Sequence, residues 1–144
     1  MTRVMQKYET LDHTADLKIK AFGKTLPEVF VNMALGLAGQ QAETDGLGKL
    51  GAAGDWEKIF LESDNLESLL IDWLNEILYR SDVSGKIYSK IEVLKFSEKP
   101  HRIETRIKGV KIERKNIEIK AATYHDLVIK KVDERWEAVV VFDI

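Results

Sequence analysis

The amino-acid sequence predicts an α+β fold: a single two-layer domain over residues 1–144, with two main helices packed on a largely antiparallel sheet. Two amphipathic helical patterns occupy the first half of the chain. From residue 86 onward the apolar residues recur with a period of two, which is typical of half-buried strands. This order of elements favours helices on one face of an antiparallel sheet.

The first helix is predicted from its start signal. Residues 17–22 alternate apolar and lysine side chains and predict a strand. Thr25, Pro27 and Glu28 then form a capping box with proline in the first turn, so a helix begins there. Its apolar stripe continues at helical spacing to about Gln40.

The second helix carries the strongest amphipathic stripe of the chain. After a short predicted strand at 56–62, Asp64 is predicted as the N-cap, with Glu67 reaching back to it. The helix is expected to end around residues 80–81, with Gly85 completing the turn. Because burying one Leu side chain contributes roughly 1.5–3 kcal/mol, this helix should anchor the core.

The second half of the chain predicts strands separated by turn residues. Gly109 and Asn116 interrupt the alternation of apolar and polar residues. The His125-Asp126 pair predicts a turn or bulge within the longest apolar stretch. Residues 42–55 hold four glycines without the spacing of a phosphate-binding motif, which predicts a loop. The predicted strands cover residues 87–96, 102–108, 111–122, 127–132 and 136–142.

Composition excludes several classes of function. The absence of cysteine excludes disulfides, thiolate metal sites and a cysteine nucleophile. No apolar run is long enough for a membrane helix, and the first residues lack the apolar core of a signal peptide. A cytoplasmic location and no membrane partner are therefore expected.

Charge distribution favours a solvated sheet over a nucleic-acid surface. The formal net charge is -2, so the protein as a whole has no excess of positive charge that would attract nucleic acid. Lysines and arginines cluster between Lys86 and Lys131, where they alternate with apolar residues. That alternation is typical of the solvated face of a sheet, and an RNA-binding face is the alternative.

The candidate functional residues lie at the two ends of the chain. Asp12, His13 and Asp16 precede the first strand, and an apolar strand near the end leads to Asp143 and the α-carboxylate of Ile144. A turn could bring the first three side chains together, whereas an Asx-turn with a capping aspartate is the structural alternative. We expect the fold to place these ends side by side.

Carboxylate oxygens in such a cluster suit a hard divalent cation such as Ca²⁺ or Mg²⁺. Softer metals prefer thiolates or several imidazoles, and the chain has three histidines, so zinc is less favoured. His125 beside Asp126 is expected to be a hydrogen-bonded structural residue, because no nucleophile accompanies it and neither G-x-S-x-G nor H-E-x-x-H occurs.

Three motifs in order, together with the central amphipathic helix at 66–78, resemble the archease family. They are Asp-His-Thr-Ala-Asp at 12–16, Ala-Ala-Thr-Tyr-His at 121–125 and the final Asp-Ile at 143–144. The likeness covers essentially the whole chain. The chain departs from the family pattern at 109–116. Its loop there is shorter, basic and without histidine, whereas the family has an acidic loop that contains histidine.

The resemblance implies a protein cofactor of an RtcB-type RNA ligase and no catalytic or cofactor-binding residues of its own. Such a protein promotes metal- and GTP-dependent guanylylation of the ligase and its multiple turnover in tRNA splicing and RNA repair. tRNA is then an indirect partner, reached through the ligase. A stand-alone metal-dependent hydrolase and a chaperone-like adaptor are the alternatives.

The resemblance also implies which residues bind the metal. The family's ion, reported as calcium, carries over to Asp16, Asp143 and Ile144, with Mg²⁺ or Mn²⁺ as alternative ions. Asp12 and His13 carry over only as neighbours of the site, and His125 is expected as a further neighbour.

Overall fold

The computed structural model describes residues 6–11, 16–42 and 54–144. Residues 12–15 and most of the predicted loop at 42–55 lie outside these ranges. No helix within the described ranges is long and apolar enough to cross a membrane. The elements in chain order are β1 (Tyr8–Leu11), β2 (Leu17–Gly23), α1 (Leu26–Gln41), β3 (Glu57–Ser63), α2 (Leu66–Ser84), β4 (Lys86–Glu98), β5 (His101–Lys111), β6 (Ala121–Val132) and β7 (Arg135–Asp143).

The strands form two antiparallel sheets. One has the order β1-β2-β7-β6 and the other the order β3-β5-β4. The predicted α+β class, with two helices packed on antiparallel strands, is confirmed. The strands divide between two sheets, whereas the sequence pattern predicted one, because a period of two specifies a strand and not its neighbours.

One hydrophobic core joins both helices to both sheets. The rings of Phe30 in α1 and Trp73 in α2 lie 5.7 Å apart, and Phe96 of β4 packs edge-on against Phe30 at 5.4 Å. The buried indole N–H of Trp73 donates to Thr105 Oγ1 of β5 at 3.0 Å. These contacts hold the three-stranded sheet to the helices without leaving that indole donor unsatisfied.

The ends of the helices confirm one predicted cap and correct another. Thr25 caps α1, its Oγ1 accepting from the backbone N–H of Glu28 at 3.3 Å. The predicted Asp64 cap of α2 is wrong: Asn65 Oδ1 accepts from the Ser68 N–H at 2.8 Å. Asp64 and Asn65 are equally good cap residues, so the packing of the first helical turn decides between them. At its other end α2 continues to Ser84, beyond the predicted stop.

The strand predicted at 111–122 is wrong for most of its length. Residues 112–120 form no strand, and their backbone bonds to other parts of the chain. The Asn116 N–H donates to the carbonyl of Gln41 at 2.8 Å, and the Lys120 N–H donates to the carbonyl of Asp143 at 2.8 Å. Alternation of side chains indicated a strand here, but these long-range partners take its ladder donors.

Gly109 was predicted to end a strand, but it is buried inside β5. It pairs with Tyr88 of β4. A Cβ at this position would lie 2.8 Å from the carbonyl oxygen of Ile87 and 2.9 Å from the Tyr88 ring. The glycine therefore permits a close approach of two strands next to a bulge in β4.

Candidate metal site

The pairing of β2 with β7 brings the two candidate aspartates to one place. The last pair in this antiparallel ladder is Leu17 with Phe142. The next position outward on β2 is Asp16, and on β7 it is Asp143. Both Leu17 and Phe142 are buried in the core, which fixes the register of the strands. The expected juxtaposition of the two ends therefore holds for these two residues.

The backbone of Asp143 is held by a third strand. Asp143 pairs with Ala121 at the start of β6, and its carbonyl accepts the Lys120 N–H at 2.8 Å. Two pairs further along, Thr123 Oγ1 donates to the carbonyl of Val141 at 2.8 Å. The exposed carboxylate of Asp143 thus projects from a backbone that is bonded to the start of β6.

Asn75 of α2 binds the backbone at the start of β6, a contact that was not predicted from the sequence. Its Oδ1 accepts the Ala122 N–H at 2.7 Å, and its Nδ2 donates to the Ala122 carbonyl at 3.2 Å. The side-chain amide thus substitutes for a neighbouring strand at the edge of the sheet. The available signal in the sequence was an asparagine placed between the buried residues Leu74 and Ile77 of an amphipathic helix.

The side chains at these strand ends carry the kind of ligand atom that a hard divalent cation prefers. Asp16 and Asp143 contribute carboxylate oxygens, which Ca²⁺ and Mg²⁺ prefer. Within the part of the chain that the structure describes, no three acidic or histidine side chains converge as a metal cluster. The third predicted donor is the α-carboxylate of Ile144, which directly follows Asp143. The assignment of Asp16, Asp143 and Ile144 as metal ligands stays a prediction.

The neighbours predicted for this site have different positions. Asp12 and His13 lie outside the described residues. His125 lies in an irregular stretch of β6 between Thr123 and Val128, opposite the middle of β7. This confirms the predicted bulge at His125-Asp126, where Asp126 has a φ of 52°.

The His125 side chain is exposed and points to its sequence neighbour. Its Nε2 lies 3.3 Å from Asp126 Oδ2, and its backbone N–H donates to Thr123 Oγ1 at 3.3 Å. These contacts fit the structural interpretation of the histidine. Its role as a neighbour of the metal stays a prediction.

A second polar cluster, centred on Glu57, was not predicted. Its carboxylate accepts a hydrogen bond from the Tyr88 hydroxyl at 2.8 Å and lies 3.5 Å from Arg80 and 3.6 Å from Lys86. Burial raises the pKa of Tyr88, with smaller opposing and supporting contributions from Ser84 and Glu57. The cluster ties β3, α2 and β4 together and is remote in sequence from the acidic ends.

Fold and site together define a class: a small α+β protein with two antiparallel sheets and a pair of carboxylates at the joined ends of two core strands. The model of the Archease protein family (MTH1598/TM1083) matches residues 8–144. The chain therefore belongs to the archease family, as its motifs predicted.

Individual relatives agree over nearly the whole chain. Protein archease of Methanosarcina barkeri is 40% identical over 146 residues, covering 96% of this chain and 97% of the relative. Protein archease of Pyrococcus abyssi is 32% identical, covering 97% of this chain and 100% of the relative.

Two solved structures share the fold. The solution structure of Methanobacterium thermoautotrophicum protein 1598 has a TM-score of 0.78 and 31% identity, covering 97% of this chain and all of that one. The Thermotoga maritima crystal structure, described as an archease and possible chaperone, has a TM-score of 0.65 and 19% identity, covering 99% of this chain and all of that one. At that identity the Thermotoga structure supports the fold alone.

Proposed function

We propose that this protein activates an RtcB-type RNA ligase, promoting its metal- and GTP-dependent guanylylation and multiple turnover in tRNA splicing and RNA repair. In this role the protein acts in the cytoplasm, is not itself an enzyme, and meets tRNA through the ligase. Membership of the archease family supports the proposal. The observation that carries it is the register of β2 and β7, whose last pair is Leu17 with Phe142, so that Asp16 and Asp143 are the next residues of the two chains.

The chain's own residues have two tasks in this proposal. Asp16 and Asp143 would bind a divalent cation, which we propose is Ca²⁺, with Mg²⁺ or Mn²⁺ as alternatives, and Ile144 would add its α-carboxylate. When bound, the cation would supply positive charge that offsets phosphate charge during nucleotidyl transfer. The bonds of Asp143 to β6, and of β6 to Asn75, would keep the carboxylate in one position. Pre-organised ligands lose less conformational freedom on binding.

The direct test measures guanylylation of the cognate ligase with GTP and Mn²⁺, with and without this protein. The variants Asp16→Asn and Asp143→Asn remove one charge each and keep side-chain size. We expect both to fold normally and to lose most of the stimulation. Asp55→Asn, an exposed aspartate before β3, is the matched control and should stimulate fully. Full stimulation by both site variants would contradict the proposal.

The role of Ile144 has its own test. A short extension after Ile144 moves the α-carboxylate away from Asp143, and calcium titration calorimetry should then report weaker binding. An unchanged calcium affinity would show that this carboxylate is not a ligand.

A chaperone-like adaptor is the second candidate. Tyr79 and Val83 lie one turn apart on α2, and their exposed fractions are 57% and 72%. Exposed apolar side chains next to each other are typical of protein-binding surfaces. This candidate predicts that a Tyr79→Ser, Val83→Ser variant loses ligase binding, whereas the Asp16 and Asp143 variants retain it.

A further inference from the structure

The solvent-facing side of the β3-β5-β4 sheet, which we call the outer sheet face, carries an unusual distribution of charge. Its cations outnumber its carboxylates by two to one, although the whole chain is slightly acidic. Buried neighbours at every second position of β5 identify which residues face outward. The cations are Lys58, Lys90, Lys95, Arg102, Arg106 and Lys108, and the carboxylates are Glu62, Glu92 and Glu104.

Four of these cations form two pairs, and the members of each pair lie directly opposite each other on neighbouring strands. Lys58 of β3 pairs with Arg106 of β5, and Lys90 of β4 pairs with Lys108 of β5. Like charges at directly opposed positions destabilise a sheet. Among these four, Arg106 is the one with an ion pair in the described part of the chain, to Glu92 at 2.6 Å. An anionic ligand would offset the remaining repulsion.

Aromatic side chains lie beside these cations. The guanidinium carbon of Arg106 is 4.2 Å from the ring centre of Trp56, and Lys108 Nζ is 5.1 Å from it. Phe60, two positions beyond Lys58 on the same face of β3, is 56% exposed. Trp56 and Phe60 are four residues apart, so they are separated by about 13 Å along a strand.

We propose that the outer sheet face binds single-stranded RNA. A base has an aromatic face that stacks on Trp56 or Phe60, and the phosphates between bases meet the paired cations. A single strand fits better than a duplex, because a duplex keeps its bases stacked on each other and hidden from the two rings. Repeated phosphates also explain why two like-charge pairs are tolerated in adjacent rows. The sequence alone favoured a solvated face, because it does not reveal which cations lie opposite each other.

The first experiment measures binding of a fluorescein-labelled 12-nucleotide oligo-U RNA by fluorescence anisotropy, with no ligase present. We expect Trp56→Ala and Phe60→Ala each to weaken binding about tenfold. Tyr79→Ala is the matched control, because Tyr79 on α2 is exposed to 57%, close to the 56% of Phe60. It should bind like the unmodified protein.

The second experiment varies the salt concentration. For single strands the slope of log K against log salt is about −0.7 for each phosphate contact. Lys58→Glu and Lys90→Glu should therefore reduce affinity and make that slope shallower by about 0.7 each. Lys131→Glu, at an exposed lysine of β6, is the matched control and should leave the slope unchanged.

Folding is checked independently. Because Trp56 also contacts Arg106, thermal unfolding of every variant is recorded, and Trp56→Phe, which keeps an aromatic ring, should retain both stability and most of the binding. Quenching of tryptophan emission on RNA addition should disappear in Trp56→Phe.

Three results would overturn the proposal. They are no binding of the oligonucleotide at 50 mM salt, equal binding by the Phe60→Ala and Tyr79→Ala variants, and binding of duplex RNA that is as tight as that of the single strand. The third result would mean that the face is only an electrostatic surface. Because the ligase is absent, these outcomes are separate from the guanylylation test of the proposed function.

Discussion

Replacing Asn75 by alanine tests how the acidic end of the chain is held. The side-chain amide makes two hydrogen bonds to the backbone of Ala122, at 2.7 and 3.2 Å. Each bond contributes about 0.5–1.5 kcal/mol net, so their loss should lower the free energy of unfolding by about 1–3 kcal/mol. For a chain of this size 1 kcal/mol corresponds to about 3 °C in Tm, so we expect Tm to fall by about 3–9 °C.

Two further variants separate the hydrogen bonds from a general effect on α2. Asn75→Asp keeps the acceptor for the Ala122 N–H but replaces the donor to the Ala122 carbonyl by a carboxylate oxygen, which repels it. Its loss of stability should therefore be at least the cost of one hydrogen bond, about 0.5–1.5 kcal/mol. Asp82→Ala, at an exposed position of the same helix, should leave Tm within about 1 °C.

The assay is urea unfolding followed by circular dichroism, with the slope of free energy against urea compared between variants. An unchanged slope with a lower midpoint would show a true loss of stability. A midpoint for Asn75→Ala equal to that of the wild type would refute the reasoning, because the amide would then not secure β6. The same variant should also weaken calcium binding, since Ala121 beside Ala122 pairs with Asp143.

Further predictions concern pH, packing and the ion. Burial raises the pKa of Tyr88 in the folded protein above its ordinary value of 10.0. Below pH 10 the phenol is protonated in both the folded and the unfolded protein. As the pH rises above 10 the unfolded chain loses the phenolic proton first, so the free energy of unfolding should fall. Tyr88→Phe should lower stability at neutral pH by about 1 kcal/mol or more and reduce that alkaline loss in urea titrations, whereas Tyr79→Phe should not. Gly109→Ala should cost about 1–3 kcal/mol in urea unfolding, because its Cβ would lie 2.8 Å from a backbone oxygen; an unchanged midpoint would contradict this. Calcium at about a hundredfold its Kd should add about 2.7 kcal/mol, or about 8 °C in Tm, and Asp143→Asn should abolish the rise measured by scanning calorimetry.

Local signals predicted the elements with different success. The Thr25 capping box gave the start of α1, because a cap depends on residues within one helical turn. The same rule chose Asp64 for α2, one residue before the actual cap, since two good cap residues stand side by side. The alternation at 111–122 failed because Ile112, Asn116 and Lys120 donate their backbone N–H groups to distant carbonyls, an effect that no local window contains.

Within the candidate site, residue type was predictable and contact was not. The carboxylates of Asp16 and Asp143 were evident from their places next to apolar strands. Asn75 was missed, because nothing in its own neighbourhood reveals that Ala122 lies against it.

The sequence by itself determined that this chain forms two amphipathic helices and a set of alternating strands, and its motifs determined the family. Those features depend on neighbours within a few residues. Only the tertiary structure decided that β2 and β7 pair, and hence that Asp16 and Asp143 are adjacent although more than a hundred residues separate them. The physical reason is that a ladder register is set by burial of side chains such as Leu17 and Phe142 in a shared core, which forms when the whole chain is folded.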